Sequence, residues 1–217
     1  MKTDLCDVSF VLDRSGSMES VRNDTIGGFN AFIEAQQKLP GECLATLAQF
    51  DHDYEVVYSG KPIKDVPKLT AETFVPRGST ALLDAIGRTI NETGKRLSAM
   101  PEADRPGKVI FVILTDGGEN ASKEFNREQV FKMISLQRDT YKWEIVFLGA
   151  NQDAIKVGGS IGVAAASSMT YASNAQGTQA VFKSASNYVS RARGGAVNLA
   201  FTEEDRKAQA AAGAAKP

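Results

Sequence analysis

Apolar positions along the chain recur in two rhythms, a period of two or a continuous run over short stretches and a three-and-four spacing over longer ones. The run at 7–12 (DVSFVL) predicts a first strand. Residues 20–38 carry Ile26, Phe29 and Ile33 on one helical face. CLATLAQFD then predicts a second strand, and YEVVYSGKPI, two residues further on, its hairpin partner. Residues 62–79 hold three prolines and no period, and predict a long loop. A helix follows with Leu83, Ile86, Ile90 and Leu97 inward, ended by MPEADRPG. KVIFVILTD and WEIVFLGA are runs of the kind buried on both faces. A helix at 126–141 lies between them, with Val130, Met133 and Ile134 inward. SSMTYA predicts a short last strand, and 176–193 a last helix with Phe182, Ala185 and Val189 toward the core.

This alternation predicts an α/β fold: a Rossmann-like, doubly wound, mostly parallel six-stranded sheet with one antiparallel edge strand and helices on both faces. At 217 residues the chain suits one domain, placed at 1–200. TEEDRKAQAAAGAAKP offers little to bury, so 201–217 reads as a flexible, charged and Ala-rich tail. A net charge of -1 with no basic run argues against nucleic-acid or membrane-surface partners. Asp4 and Asp7 interrupt the apolar region a signal peptide would need, so the expected location is cytoplasmic. Cys6 and Cys43 both precede apolar strands. They are expected near each other as free thiols in a reducing compartment.

Oxygen-bearing residues gather where strands end. In FVLDRSGSM, Asp13, Ser15 and Ser17 alternate just past the first strand, so their side chains can converge. LTDGGEN delivers Asp116 to the same edge, and RGSTALLDAI brings Thr80 to a helix start. In open α/β sheets that edge is where ligands bind. Two carboxylates and three hydroxyls are hard ligands suited to Mg²⁺ or Mn²⁺ rather than zinc. Because two acids only balance a divalent charge, the ion would stay electrophilic toward a carboxylate from another molecule.

These residues resemble the von Willebrand factor A (vWA) family, whose metal-ion-dependent adhesion site (MIDAS) has the pattern Asp-x-Ser-x-Ser, a later Thr and a later Asp in a TDG turn. The likeness covers about residues 5–193. It implies that Ser15, Ser17 and Thr80 contact the ion, with Asp13 and Asp116 acting directly or through water. It further implies a non-enzymatic module binding a protein that presents Glu or Asp, in some relatives with movement of the last helix. Intracellular relatives work beside AAA-type ATPases, in stress-response systems or in phage assemblies. Arg14, Arg77 and Asn120 are the expected partner-binding rim.

Other readings of the same residues are weaker. An EF-hand fails because Met18 stands where that loop needs glycine and Asp24 where it needs glutamate. A haloacid dehalogenase-type phosphohydrolase needs a second acid where Ser15 stands. With His52 the only histidine and no Gly-x-Ser-x-Gly elbow, serine hydrolysis lacks its parts. The glycines of KVGGSIG mark a helix end rather than a phosphate loop. A scaffold or virion-associated component with a mainly structural metal stays open as the alternative.

Overall fold

The computed structural model describes residues 1–214. Its strands are β1 (Lys2–Asp13), β2 (Glu42–Phe50), β3 (Tyr54–Pro62), β4 (Pro106–Thr115), β5 (Glu144–Ala150) and β6 (Ser168–Tyr171). Its helices are α1 (Arg22–Gln37), α2 (Leu82–Ser98), α3 (Arg127–Asp139), α4 (Ala154–Ser160), α5 (Ala175–Arg193) and α6 (Glu203–Ala211). The sheet order is β3-β2-β1-β4-β5-β6, with only β3 antiparallel to its neighbour. The predicted architecture is thus the observed one. Strand β1 lies between β2 and β4, so its carboxyl end, bearing Asp13, sits at the middle of the sheet edge.

Alternation along β1 sends Val8, Phe10 and Leu12 to one face and Val11 to the other. The first face packs under α1 and α5. There Phe10 meets Phe29 at 5.4 Å, Phe32 at 5.5 Å and Phe182 at 6.0 Å between ring centroids. Such aromatic pairs each contribute about 0.5–1.5 kcal/mol beyond the area they bury. The second face is covered by α2, α3 and α4 through Leu82, Ile86, Val130, Ile134 and Ala154. Two sheet faces closed by helices leave the strand ends as the accessible polar edge. No helix among the described residues is long and apolar enough to cross a membrane.

The expectation of a flexible tail is corrected over residues 201–214. Thr202 and Asp205 form a reciprocal capping box that starts α6, with Asp205 N–H to Thr202 Oγ1 at 3.1 Å and Thr202 N–H to Asp205 Oδ2 at 2.9 Å. Phe201 is buried against Tyr188, 5.1 Å between rings, and Gln209 donates to the Gly177 carbonyl. The anchors are one aromatic and several polar groups, which an apolar-periodicity reading passes over. Residues 215–217 lie outside the described residues. Phe201→Ala is expected to cost about 3 kcal/mol in urea unfolding. A change within about 0.5 kcal/mol, as an undocked surface position gives, would contradict the docking.

Candidate metal centre

Three loops meet at the carboxyl edge of the parallel strands. The first follows β1. Asp13 is fully buried, with Oδ1 accepting the Ser15 N–H at 2.7 Å and Oδ2 accepting the Thr115 hydroxyl at 2.6 Å. It therefore braces the loop from below, with both oxygens already engaged. The brace turns Ser15 and Ser17 to one side, their hydroxyls 3.1 Å apart.

The second loop follows β4. The Ser17 hydroxyl donates to Asp116 Oδ1 at 2.5 Å, while Asp116 Oδ2 is buried with no hydrogen-bond partner among the described residues. Asn151 Nδ2 and Gln152 Nε2 hold this turn by its backbone, each 3.3 Å from a carbonyl, of Asp116 and Gly117 respectively. Gly117 opens the space between hydroxyls. A Cβ there would lie 3.4 Å from Thr80 Oγ1 and 3.5 Å from Ser17 Oγ.

The third loop precedes α2 and carries Thr80, which is buried. Asn120 fixes it on both sides: its Oδ1 accepts the Thr80 N–H at 2.8 Å, and its N–H donates to the Thr80 carbonyl at 3.0 Å. Gly78 has φ +66 and packs under the His52 ring, where any Cβ would clash. Its carbonyl accepts the Gly16 N–H at 3.1 Å, tying this loop to the first.

All five sequence-predicted ligand candidates thus reach one edge, but in different roles. Ser17 and Asp116 touch directly, Ser15 touches Ser17, Thr80 faces them across Gly117, and Asp13 supports from beneath. Burial raises the Asp13 carboxyl to about 6, against the opposing hydrogen bonds from Thr115 and Ser15. Asp116 is also raised, mainly by burial, with the Ser17 hydroxyl pulling the other way. An orphaned, buried carboxylate oxygen beside converging hydroxyls is costly without a cation. The donor set is all oxygen. These residues fit a hard divalent metal.

The expected rim changes on inspection. Arg14 is only 6 % exposed; its Nε donates to Asp51 Oδ2 at 3.0 Å and its Nη1 to Glu55 at 2.6 Å. It is a buried strut, not a surface contact, because Asp51, the first residue past β2, claims it. Arg77 is half exposed, and it too binds Asp51 Oδ2, at 2.9 Å. Asn120 is a loop clamp whose side-chain oxygen is already used. Asp51, His52 and Asp53 bring ligand-type atoms within 4.8 Å of one another on the turn beside the serine loop. Two guanidiniums already neutralise that group, and the orphaned oxygen belongs to Asp116.

Sequence reasoning missed Asp51, Thr115, Asn151 and Tyr171. Asp51 was signalled by the same feature as Asp13, an acid at the carboxyl end of an apolar strand. Tyr171 gave no signal: it ends a weak strand, yet its hydroxyl is buried with no hydrogen-bond partner among the described residues, and burial, then the charges of Asp116 and Asp13, raise its pKa.

The fold and this set of loops define the chain as having the von Willebrand factor A fold, with groups placed to hold a divalent metal. No family model matches the sequence, and no curated protein matches it; the likeness lies in structure. It is similar to the pilus adhesin SpaC from Lactobacillus rhamnosus GG in its open conformation, with TM-score 0.66, 16% identity, and 88% of this chain against 31% of that one. Proximal thread matrix protein 1 from the mussel byssus, with a zinc-occupied MIDAS motif, aligns at TM-score 0.58 and 14% identity over 82% of this chain and 46% of that one. A von Willebrand factor type A protein from Catenulispora acidiphila aligns at 0.58 and 14%, over 86% and 42%. The chain spans less than half the length of each.

Proposed function

We propose that this chain is a metal-dependent protein-binding module, not an enzyme, that captures an acidic side chain of a partner. The observation that carries this is the buried, unpartnered Asp116 Oδ2 next to the Ser15, Ser17 and Thr80 hydroxyls. Asp116 and the three hydroxyls would hold the cation, Mg²⁺ or Mn²⁺ by the hardness of the donors, and it would supply a positive charge that a foreign carboxylate can ligate. Asp13 keeps the serine loop in shape. Asn120 keeps Thr80 in place. Support comes also from the likeness to a pilus adhesin and a thread matrix protein.

The same groups are a poor catalytic set. The buried acids are engaged by Ser17, Ser15 and Thr115, and His52 is held against Gly78 between Asp51 and Asp53, with no hydrogen bond to either serine hydroxyl among the described residues. Among the described residues, Asp116 is the one acid or base hydrogen-bonded to the Ser15 and Ser17 hydroxyl pair. We place the module in the cytoplasm, as a partner of an AAA-type ATPase or of a stress-response or phage assembly.

Affinity capture from the native host in millimolar Mg²⁺ should retain a partner that EDTA releases and that Asp116→Asn fails to bind. One Glu or Asp of that partner should be indispensable. A partner held equally well in EDTA would sink the reading, and magnesium-dependent hydrolysis of p-nitrophenyl phosphate would replace it with an enzyme.

A further inference from the structure

The far end of the sheet holds a pair of thiols that the metal centre does not use. Cys6 of β1 and Cys43 of β2 are direct register partners in neighbouring parallel strands. In-register residues point to the same face, and both lie in the apolar layer under α1 and α5. Neighbouring strands run about 4.8 Å apart, inside the roughly 4.4–6.8 Å Cα separation that a disulfide spans. Both thiols are free, and the Cys43 thiol donates only a weak hydrogen bond, to the Leu44 carbonyl at 3.5 Å.

Two features of the surroundings favour reaction at this pair. Cys43 lines a cavity of about 350 Å³ between the starts of β1 and β2 and the end of β3, bounded by Leu5, Gly41, Pro62, Ile63 and Lys64. Cys43 itself is buried, so the cavity brings a small oxidant up to the residue. Arg193, at the end of α5, is fixed by the Gln36 carbonyl at 2.7 Å, by Gln36 Oε1 at 3.2 Å and by the Pro40 carbonyl at 3.4 Å. No carboxylate pairs with it among the described residues, so its charge is free to act on the thiols. The neighbouring Cys6 thiol, then Arg193, hold the Cys43 thiol below its ordinary value against the opposing effect of burial, while Cys6 is pushed up. A low-pKa thiol beside a second cysteine is the arrangement of a peroxide-sensing pair.

We propose that Cys6 and Cys43 form a hydroperoxide-responsive thiol pair that closes to an intramolecular disulfide. The Cys43 thiolate attacks the terminal oxygen of the hydroperoxide and breaks the O–O bond, releasing an alcohol, or water from hydrogen peroxide, and leaving a sulfenic acid. The Cys6 sulfur then displaces hydroxide from that sulfenic acid; the Cys6 proton joins the hydroxide as water. Two thiols lose two electrons and two protons in all, and the O–O bond accepts them. The bridge would close the segment 6–43, which contains β1 from Cys6 onward, the Asp13–Ser17 loop and α1.

Titrating the folded, reduced full chain with hydrogen peroxide tests this, followed by alkylation, intact mass and peptide mapping. The expected product is a monomer lighter by two hydrogens, with Cys6 and Cys43 lost together and a higher melting temperature that dithiothreitol reverses. Cys6→Ser should stop at a dimedone-trappable sulfenic acid on Cys43, Cys43→Ser should leave Cys6 unreacted, and Arg193→Gln should slow the reaction several-fold. Sulfinic acid at either cysteine without the cross-link would overturn the proposal. So would retention of both thiols in the folded protein while they react readily in urea. The wild-type map stands alone should a variant fail to fold.

Discussion

Asp116→Asn is expected to abolish the rise in melting temperature that magnesium gives the native chain, and to lower magnesium affinity by about 100-fold or more, about 2.7 kcal/mol. A ligand binding only the folded state at 100 times its dissociation constant stabilises by about 2.7 kcal/mol. For a chain of this size that is roughly 5–10 °C. The substitution keeps the shape of the side chain and the Ser17 contact at Oδ1, but removes the charge and turns the orphaned Oδ2 into a neutral amide. The metal-free variant should melt at or above the metal-free wild type, because a carboxylate raised by burial no longer has to be ionised.

The sign of the pH dependence separates the metal from the bare fold. Asp13 sits at about 6 in the folded chain against 3.8 ordinarily. Its contribution to metal-free stability is therefore fully present below about pH 4 and lost as pH rises through 6, a loss of about 3 kcal/mol. Binding a cation next to Asp13 and Asp116 favours their ionised forms, so metal-linked stabilisation must grow over the same interval. Thermal melts from pH 4.5 to 8, with magnesium and with EDTA, should show curves of opposite slope that diverge upward in pH. Parallel curves would mean that the cation sits elsewhere.

Strand runs and helix stripes made the fold legible because both faces of the sheet are covered, so nearly every strand had to be apolar. The ligand candidates were legible for a related reason: an acid or hydroxyl just past a buried run must lie at the sheet edge. Roles within the site were not. Whether Asp13 faces a cation or braces a loop depends on Thr115 and the Ser15 amide, and neither partner can be read from spacing. Arg14 and Arg77 misled for the same reason, since an arginine near a loop reads as exposed until the acid that claims it, Asp51, is placed by the β2–β3 hairpin. Helix α6 hid behind low hydrophobicity, although the TEED start of its capping box stood in the sequence.

The same difficulty, a polar residue whose partner is distant in sequence, reaches its largest energetic consequence at Asp7. This carboxylate is fully buried on the α2 side of β1, held by Arg96 from 89 positions away, with Nη1 to Oδ2 at 2.8 Å and Nη2 to Oδ1 at 3.0 Å. Burial nonetheless keeps Asp7 above its ordinary value. Arg96→Met leaves the charge unpaired and should cost about 3–5 kcal/mol at pH 7. With the guanidinium gone the folded-state pKa of Asp7 rises further. The protonated form then confers stability that is present below about pH 4 and lost as pH climbs through that higher value. The gap between variant and wild type should therefore narrow on acidification, as measured by urea unfolding between pH 4.5 and 8. Asp7→Leu combined with Arg96→Met should recover most of the loss, because a packed apolar pair has no charge to desolvate. A gap independent of pH, unrelieved by the double substitution, would show that Arg96 matters through the packing of its stem across Gly60 and not through the ion pair.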